Sequence, residues 1–102
     1  MSIQDRRAEI DAIDSELLRL LNARARLALR VGETKKSAGL ALCDSGRERE
    51  VIERACRANE GPLNERSVAR LFRSIIRESR LAEEHEMKGA SAAVSPVVVN
   101  EA

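Results

Sequence analysis

No proline and a single glycine, Gly32, fall between residues 5 and 36. Across that stretch Ile10, Ile13, Leu17, Leu20, Leu21, Ala28 and Val31 recur at helical spacing, which marks one buried face of a continuous helix. Such a helix is about 48 Å long, whereas a compact chain of this length has a radius of gyration of about 13 Å. One chain cannot cover so long an apolar stripe. The simplest cure is a second copy lying alongside, so an intertwined homodimer is expected, with a kinked or frayed first helix as the monomeric alternative.

Gly32 costs that helix about 1 kcal/mol relative to alanine. It is either a tolerated surface glycine or a place where another backbone or a ligand comes close. Residues 37–43 contain Gly39, lose the period and read as a loop. A second helix is expected from Ser45, because Ser45 with Glu48 fits a capping box and Val51, Ile52, Ala55 and Cys56 supply its apolar face. Asn59, Gly61 and Pro62 stop it. Asn64 then caps a third helix to about Met87, with Val68, Leu71, Phe72, Ile75, Ile76, Ser79 and Ala82 inward. The fold class is therefore all-α, with one helical domain over residues 1–87. Residues 88–102 have no helical period and are expected to form a disordered tail.

Composition narrows the function. Phe72 is the only aromatic residue, so stacking of bases or sugars on aromatic rings is excluded as the main mode of binding. Lys and Arg total 18 against 17 Asp and Glu, and the signs are interspersed, so no basic block points to nucleic acid. Cys43, Cys56 and the lone His85 cannot make a four-ligand metal site or a dense disulfide framework. Reduced thiols in a cytoplasmic protein are expected, with Cys43 inert unless it is exposed near the site, where a thiol can react. No apolar run is long enough for a membrane span, and residues 1–7 are too polar for a secretion signal.

Some charges fall where leucines should. At 100° per residue, Arg24 and Lys35 lie within about 20° of each other and share the stripe of Leu17 and Val31. One such cation would snorkel to water over its aliphatic stem. Two, about 16 Å apart on one stripe, make that reading weaker. Glu48 shares a face with Val51, Ile52 and Ala55, with Arg47 adjacent, while Ser79 and Glu83 continue the line of Phe72, Ile75 and Ile76. Capping would account for Glu48, and a frayed last turn for Glu83. Taken together, the inward set of cations, carboxylates and a hydroxyl implies a bound counter-charge, since unpaired buried charge is expensive. The ligand implied is a small polar dianion or dicarboxylate. There is no Cys-His or Ser-His pairing and no glycine-rich phosphate loop, so an enzyme built this way works by positioning and electrostatics.

These residues carry a family resemblance. Arg7, the run Ile13-Asp14-Ser15-Glu16-Leu17-Leu18-Arg19-Leu20-Leu21-Asn22-Ala23-Arg24, then Val31-Gly32-Glu33-Thr34-Lys35, then Asp44-Ser45-Gly46-Arg47-Glu48-Arg49-Glu50, resemble the all-helical class of chorismate mutases. Leu71-Phe72-Arg73-Ser74-Ile75-Ile76-Arg77-Glu78-Ser79 extends the likeness, which covers about residues 6–83. A generic helical protein would share the leucines but not these spaced charges.

The resemblance implies an intertwined dimer with two equivalent sites. It places Arg24 and Arg47, with Arg7 of the partner subunit, around two substrate carboxylates, assisted by Ser79. Lys35 would bind the ether oxygen of the breaking bond, and Asp44, through its backbone, and Glu48 would hold the ring hydroxyl. Arg7 lies about 100° from Arg24 on the wheel, which fits service in a neighbour's site. Chorismate to prephenate is a [3,3]-sigmatropic rearrangement, so no nucleophile, proton shuttle or cofactor is required. Catalytic weight then falls on Arg24, Lys35 and Glu83. Several family members carry glutamine where this chain, like others, has Glu83. An ionised carboxylate has no proton to donate, so Glu83 must be protonated in the complex. Burial would raise its pKa, and Arg24 and Lys35 would lower it.

Three other readings compete. Isochorismate pyruvate lyase shares the scaffold, but the Asp44-x-x-Arg47-Glu48 group and the loop before it favour the mutase. A helical dimerisation or regulatory module would keep the leucines but need not align Arg24 with Lys35. A helix-turn-helix DNA binder should expose a basic face, whereas Arg66, Arg70, Arg73, Arg77 and Arg80 are interleaved with Glu65, Glu78 and Glu83.

Overall fold

The structure, a computed structural model, describes residues 1–92. It consists of three helices, α1 (Ile3–Ser37), α2 (Ser45–Ala58) and α3 (Glu65–Ala92). Helix α1 starts two residues earlier than its apolar period because Ser2 caps it. The Ser2 hydroxyl accepts from the Asp5 amide, and the Asp5 carboxylate accepts from the Ser2 amide, closing a capping box. Its far end closes with Gly39 at φ 73, where the Gly39 and Leu40 amides donate back to the Lys36 and Lys35 carbonyls. That is a Schellman stop, and it needs a residue comfortable in the left-handed region.

The cap of α2 differs from the sequence expectation. Asp44, not Ser45, is the N-cap, and its side chain accepts from the Arg47 amide at 3.0 Å. Glu48 does not complete a box with Ser45 because its carboxylate is drawn to Arg80 on α3. Asn64 caps α3 as its position suggested, accepting from the Ser67 amide at 2.8 Å. Helix α3 continues past Met87 to Ala92, so the first part of the expected tail is helical. The remainder of that tail, residues 93–102, lies outside the described residues.

Helix α3 packs against both α1 and α2, while α1 and α2 do not pack on each other. Val68, at 6% exposure, is the one buried apolar side chain among the described residues. The stripe on α1 divides in two. Leu21, Ala25, Ala28 and Leu29 are half-buried against α3, but every residue from 1 to 20 is exposed. Ile10, Ile13, Leu17 and Leu20, expected to be buried, are 49–65% exposed within the single chain, as is Val31 at 52%. The reason is geometric. α1 has 35 residues and extends as one rod along a molecule 53 Å in its longest dimension, past the reach of α3. The radius of gyration, 16.9 Å, is correspondingly above the compact value of about 13 Å.

Candidate active site

Because α1 and α2 stand apart on α3, a gap remains between them, and it forms a cavity of about 120 Å³. Arg24 and Lys35 enter it from α1, Asp44, Arg47 and Glu48 from the start of α2, and Ser79 and Glu83 from α3. Every site residue expected from the sequence is thereby brought together except Arg7. Arg7 sits on the exposed half of α1, about 25 Å along the axis from Arg24.

Helical spacing explains the convergence. Arg24 and Lys35 are half-buried, in keeping with their place on the stripe rather than on the solvent face. The Arg24 guanidinium donates to the Ser79 hydroxyl at 3.2 Å, linking α1 to α3 across the floor. The Lys35 ammonium donates to the Leu42 carbonyl at 3.2 Å, which ties the end of α1 to the connection that leads into α2. That bond fixes the ammonium at the cavity wall and still leaves it donors to spare. Arg47 is more exposed, and its head pairs with Glu50 one turn on at 2.7 Å. The Asp44 backbone carbonyl accepts from the Glu48 amide at 3.0 Å, the first bond of α2. Cys43 is a free, exposed thiol that lies 3.9 Å from a Glu48 oxygen.

Glu83 is the residue whose titration the site alters. Burial pushes its carboxyl above the usual range, and the positive charges of Lys35 and Arg80 oppose that shift while Glu84 adds to it. Arg80, rather than the expected Arg24, is thus the second cation acting on Glu83. Gly32 is not a surface glycine, and what comes close to it is a side chain rather than the backbone or ligand expected. It is buried, and a Cβ there would stand 3.2 Å from Glu83 Oε2 and 3.4 Å from its Cδ. The missing side chain is the space in which the Glu83 carboxyl lies.

Sequence reasoning overlooked two members of the wall, the Leu42 carbonyl and Arg80. Nothing local announces the carbonyl. Arg80 did have a signal, since it stands four residues beyond Ile76 and so continues the same inward row.

Three helices in this arrangement, with cations and carboxylates facing one cavity and no paired nucleophile and base, define the all-helical class of chorismate mutases. The sequence profile described as chorismate mutase type II matches residues 6–84, and the chain belongs to that family. A bifunctional chorismate mutase/prephenate dehydratase of Aquifex aeolicus is 42% identical over 78 residues, covering 72% of this chain and 22% of that protein. The Neisseria gonorrhoeae protein of the same description is 47% identical over 72 residues, 71% of this chain and 19% of its own length. This chain therefore spans about a fifth of the length of those curated relatives. Among solved structures, a chorismate mutase of Thermus thermophilus superposes with a TM-score of 0.79 at 35% identity, covering 80% of this chain and 93% of that one. Among the described residues no helix is long and apolar enough to cross a membrane.

Proposed function

We propose that this chain isomerises chorismate to prephenate, a step toward phenylalanine and tyrosine, in a cytoplasmic homodimer whose two cavities are each completed by Arg7 of the partner subunit. One observation carries the reading: Arg24, Lys35, Arg47, Glu48, Ser79 and Glu83 line one cavity. A dicarboxylate supplies the negative charge that this set of cations lacks, and a pericyclic reaction asks for nothing that the set cannot provide.

The rearrangement breaks the ether C–O bond and forms a C–C bond in one step, while negative charge grows on the ether oxygen. Arg24 and Arg47, joined by the partner subunit's Arg7, hold the two carboxylates and fold the enolpyruvyl arm over the ring, which removes conformational freedom before the barrier. Ser79 accepts from Arg24 and keeps its guanidinium aimed. Lys35, anchored at the wall by the Leu42 carbonyl, donates to the ether oxygen, and its interaction strengthens as charge develops there. Protonated Glu83 is a second donor to the same oxygen. Glu48 accepts from the ring hydroxyl, and Asp44 contacts the same hydroxyl through its backbone.

The dimer follows from the bare half of α1. Ile10, Ile13, Leu17 and Leu20 form a stripe with no cover within the chain, and each such side chain contributes about 1.5–3 kcal/mol when fully buried. A second α1 lying alongside covers the stripe and carries Arg7 toward the other cavity.

The test is an assay of chorismate loss against prephenate gain, with no added metal or cofactor, run beside isochorismate with pyruvate release as the readout. Equimolar prephenate from chorismate is expected. Pyruvate from isochorismate without prephenate from chorismate would overturn the reading.

A further inference from the structure

The ion pairs among the described residues divide sharply. Arg6–Glu9, Arg19–Glu16, Arg47–Glu50, Arg54–Glu50 and Arg77–Glu78 each join neighbours on one helix at exposed positions. Arg80–Glu48 alone joins two helices, and its side chains are only 29% and 30% exposed. Exposed local pairs contribute little. A half-buried pair that crosses between helices and borders a cavity is a different object, since each partner would be costly to leave alone.

Resting on the mutase reading above, we propose that Arg80 is a positioning residue that fixes the Glu48 carboxylate against α3 for the substrate's ring hydroxyl and balances the cavity's carboxylates. Glu48 stands in the first turn of α2, with the Cys43 thiol of the preceding loop 3.9 Å from one of its oxygens. The guanidinium of Arg80 holds that carboxylate from α3, one residue away from the Ser79 hydroxyl that receives Arg24. A single turn of α3 thus aims one group from each wall. A planar fork can occupy one face of a carboxylate and leave the remaining lone pairs for a hydroxyl donor.

The second half of the role is electrostatic. The charged groups that share the cavity with Glu83 are Arg24 and Lys35 from α1, Asp44, Arg47 and Glu48 from α2, and Arg80 from α3 itself, with Glu84 beside it on that helix. Without Arg80, the Glu48 carboxylate would lack its paired cation while facing a guest that bears two carboxylates of its own. Arg80 also opposes the retention of a proton by Glu83. Its removal therefore has two separable consequences. Recognition of the ring hydroxyl weakens, and the pH at which Glu83 ionises rises.

The decisive variant is Arg80→Met, which keeps the stem and removes the charge, with Arg80→Lys as a second variant that retains the charge without the fork. Arg80→Met is expected to lower kcat/KM by about ten- to a hundredfold, chiefly through KM. The loss should largely vanish in a Glu48→Gln background, and the alkaline limb of the pH profile should move to higher pH. Arg80→Lys should leave that limb near its original place while recovering only part of KM. Unchanged kinetics in Arg80→Met would overturn the proposal. So would a loss that adds fully to that of Glu48→Gln with the limb unmoved, because packing alone gives that pattern. If the unaltered protein has no mutase activity, the reading of the site fails instead. Carboxyl carbon NMR of Glu83 in the free protein still decides Arg80's electrostatic hold, and an unmoved titration in Arg80→Met overturns it.

Discussion

The two halves of α1 carry similar apolar spacing and meet opposite fates. From Leu21 onward the stripe, Val31 excepted, is half-buried or buried on α3, and it includes Arg24 and Lys35, which border the cavity, and Gly32, which lies against Glu83. Before Leu21 the same stripe is bare, and its charges lie on exposed positions such as Arg6 and Glu9 in local pairs. Apolar period alone therefore does not say what a helix face is for. What separates the halves is the reach of α3, which lies alongside the later half and leaves the earlier one bare.

Leu17→Asp tests the bare half, and its effect should be the largest. Losing the leucine and burying a carboxylate costs about 3 kcal/mol or more per protomer, about 6 kcal/mol per dimer, which is about 10⁴-fold in the association constant. Light scattering should show monomers at concentrations where the unaltered protein is dimeric, and activity should fall with the dimer because Arg7 leaves the partner's cavity. Monomers of undiminished activity would dissolve the contrast between the halves. Lys35→Ala tests the other half. It should retain the dimer and lower kcat by about 10²- to 10³-fold, equivalent to about 3–4 kcal/mol of transition-state stabilisation by analogy with an oxyanion donor. A change confined to KM would show that Lys35 binds the ground state only.

A smaller and more diagnostic effect concerns Glu83. On the proposed mechanism its carboxyl acts when protonated, and burial raises its pKa. Activity should accordingly be full below that pKa and fall as pH rises through it. Glu83→Gln keeps a donor at every pH, so its profile should lose the alkaline limb while its rate at low pH stays within a few-fold of the unaltered protein. Coincident profiles would remove Glu83 from the reaction. The sign for stability is the same. Burial penalises the ionised form in the folded state, so the contribution of Glu83 is greatest at low pH and is lost as pH rises through its raised pKa.

Much of this architecture was legible in the sequence because its determinants are local. The long period of α1, the Asn64 cap and the Gly39 stop depend on residues within a few positions of one another. What escaped depends on distant partners. Ser45 and Glu48 satisfy the capping-box pattern, yet Asp44 takes the cap while Glu48 goes to Arg80, a residue on another helix. Arg80 was hidden by company, since it follows Arg66, Arg70, Arg73 and Arg77 at surface-like spacing. Those four are exposed, whereas Arg80 is half-buried. The exposure of Ile10 and Ile13 likewise depends on distant structure, because no other helix of the chain reaches their part of α1.

Gly32 gives the finest division of α1, because there stability and activity should move apart. Alanine is the better helix former by about 1 kcal/mol, and at a surface position Gly32→Ala would simply stabilise α1. Here the new Cβ would approach Glu83 Oε2 to 3.2 Å and its Cδ to 3.4 Å. The obstacle is the end of a flexible side chain rather than backbone, so the carboxyl can give way by a few tenths of an ångström. Melting temperature should hold or rise slightly. The displaced carboxyl is no longer aligned with the ether oxygen, so kcat should fall, by less than in Lys35→Ala. In a Glu83→Ala background the space opens, and the kinetic cost of Gly32→Ala should disappear while its stability gain remains. A cost that persisted there would mean that Gly32 serves the backbone of α1 itself and not the room for Glu83.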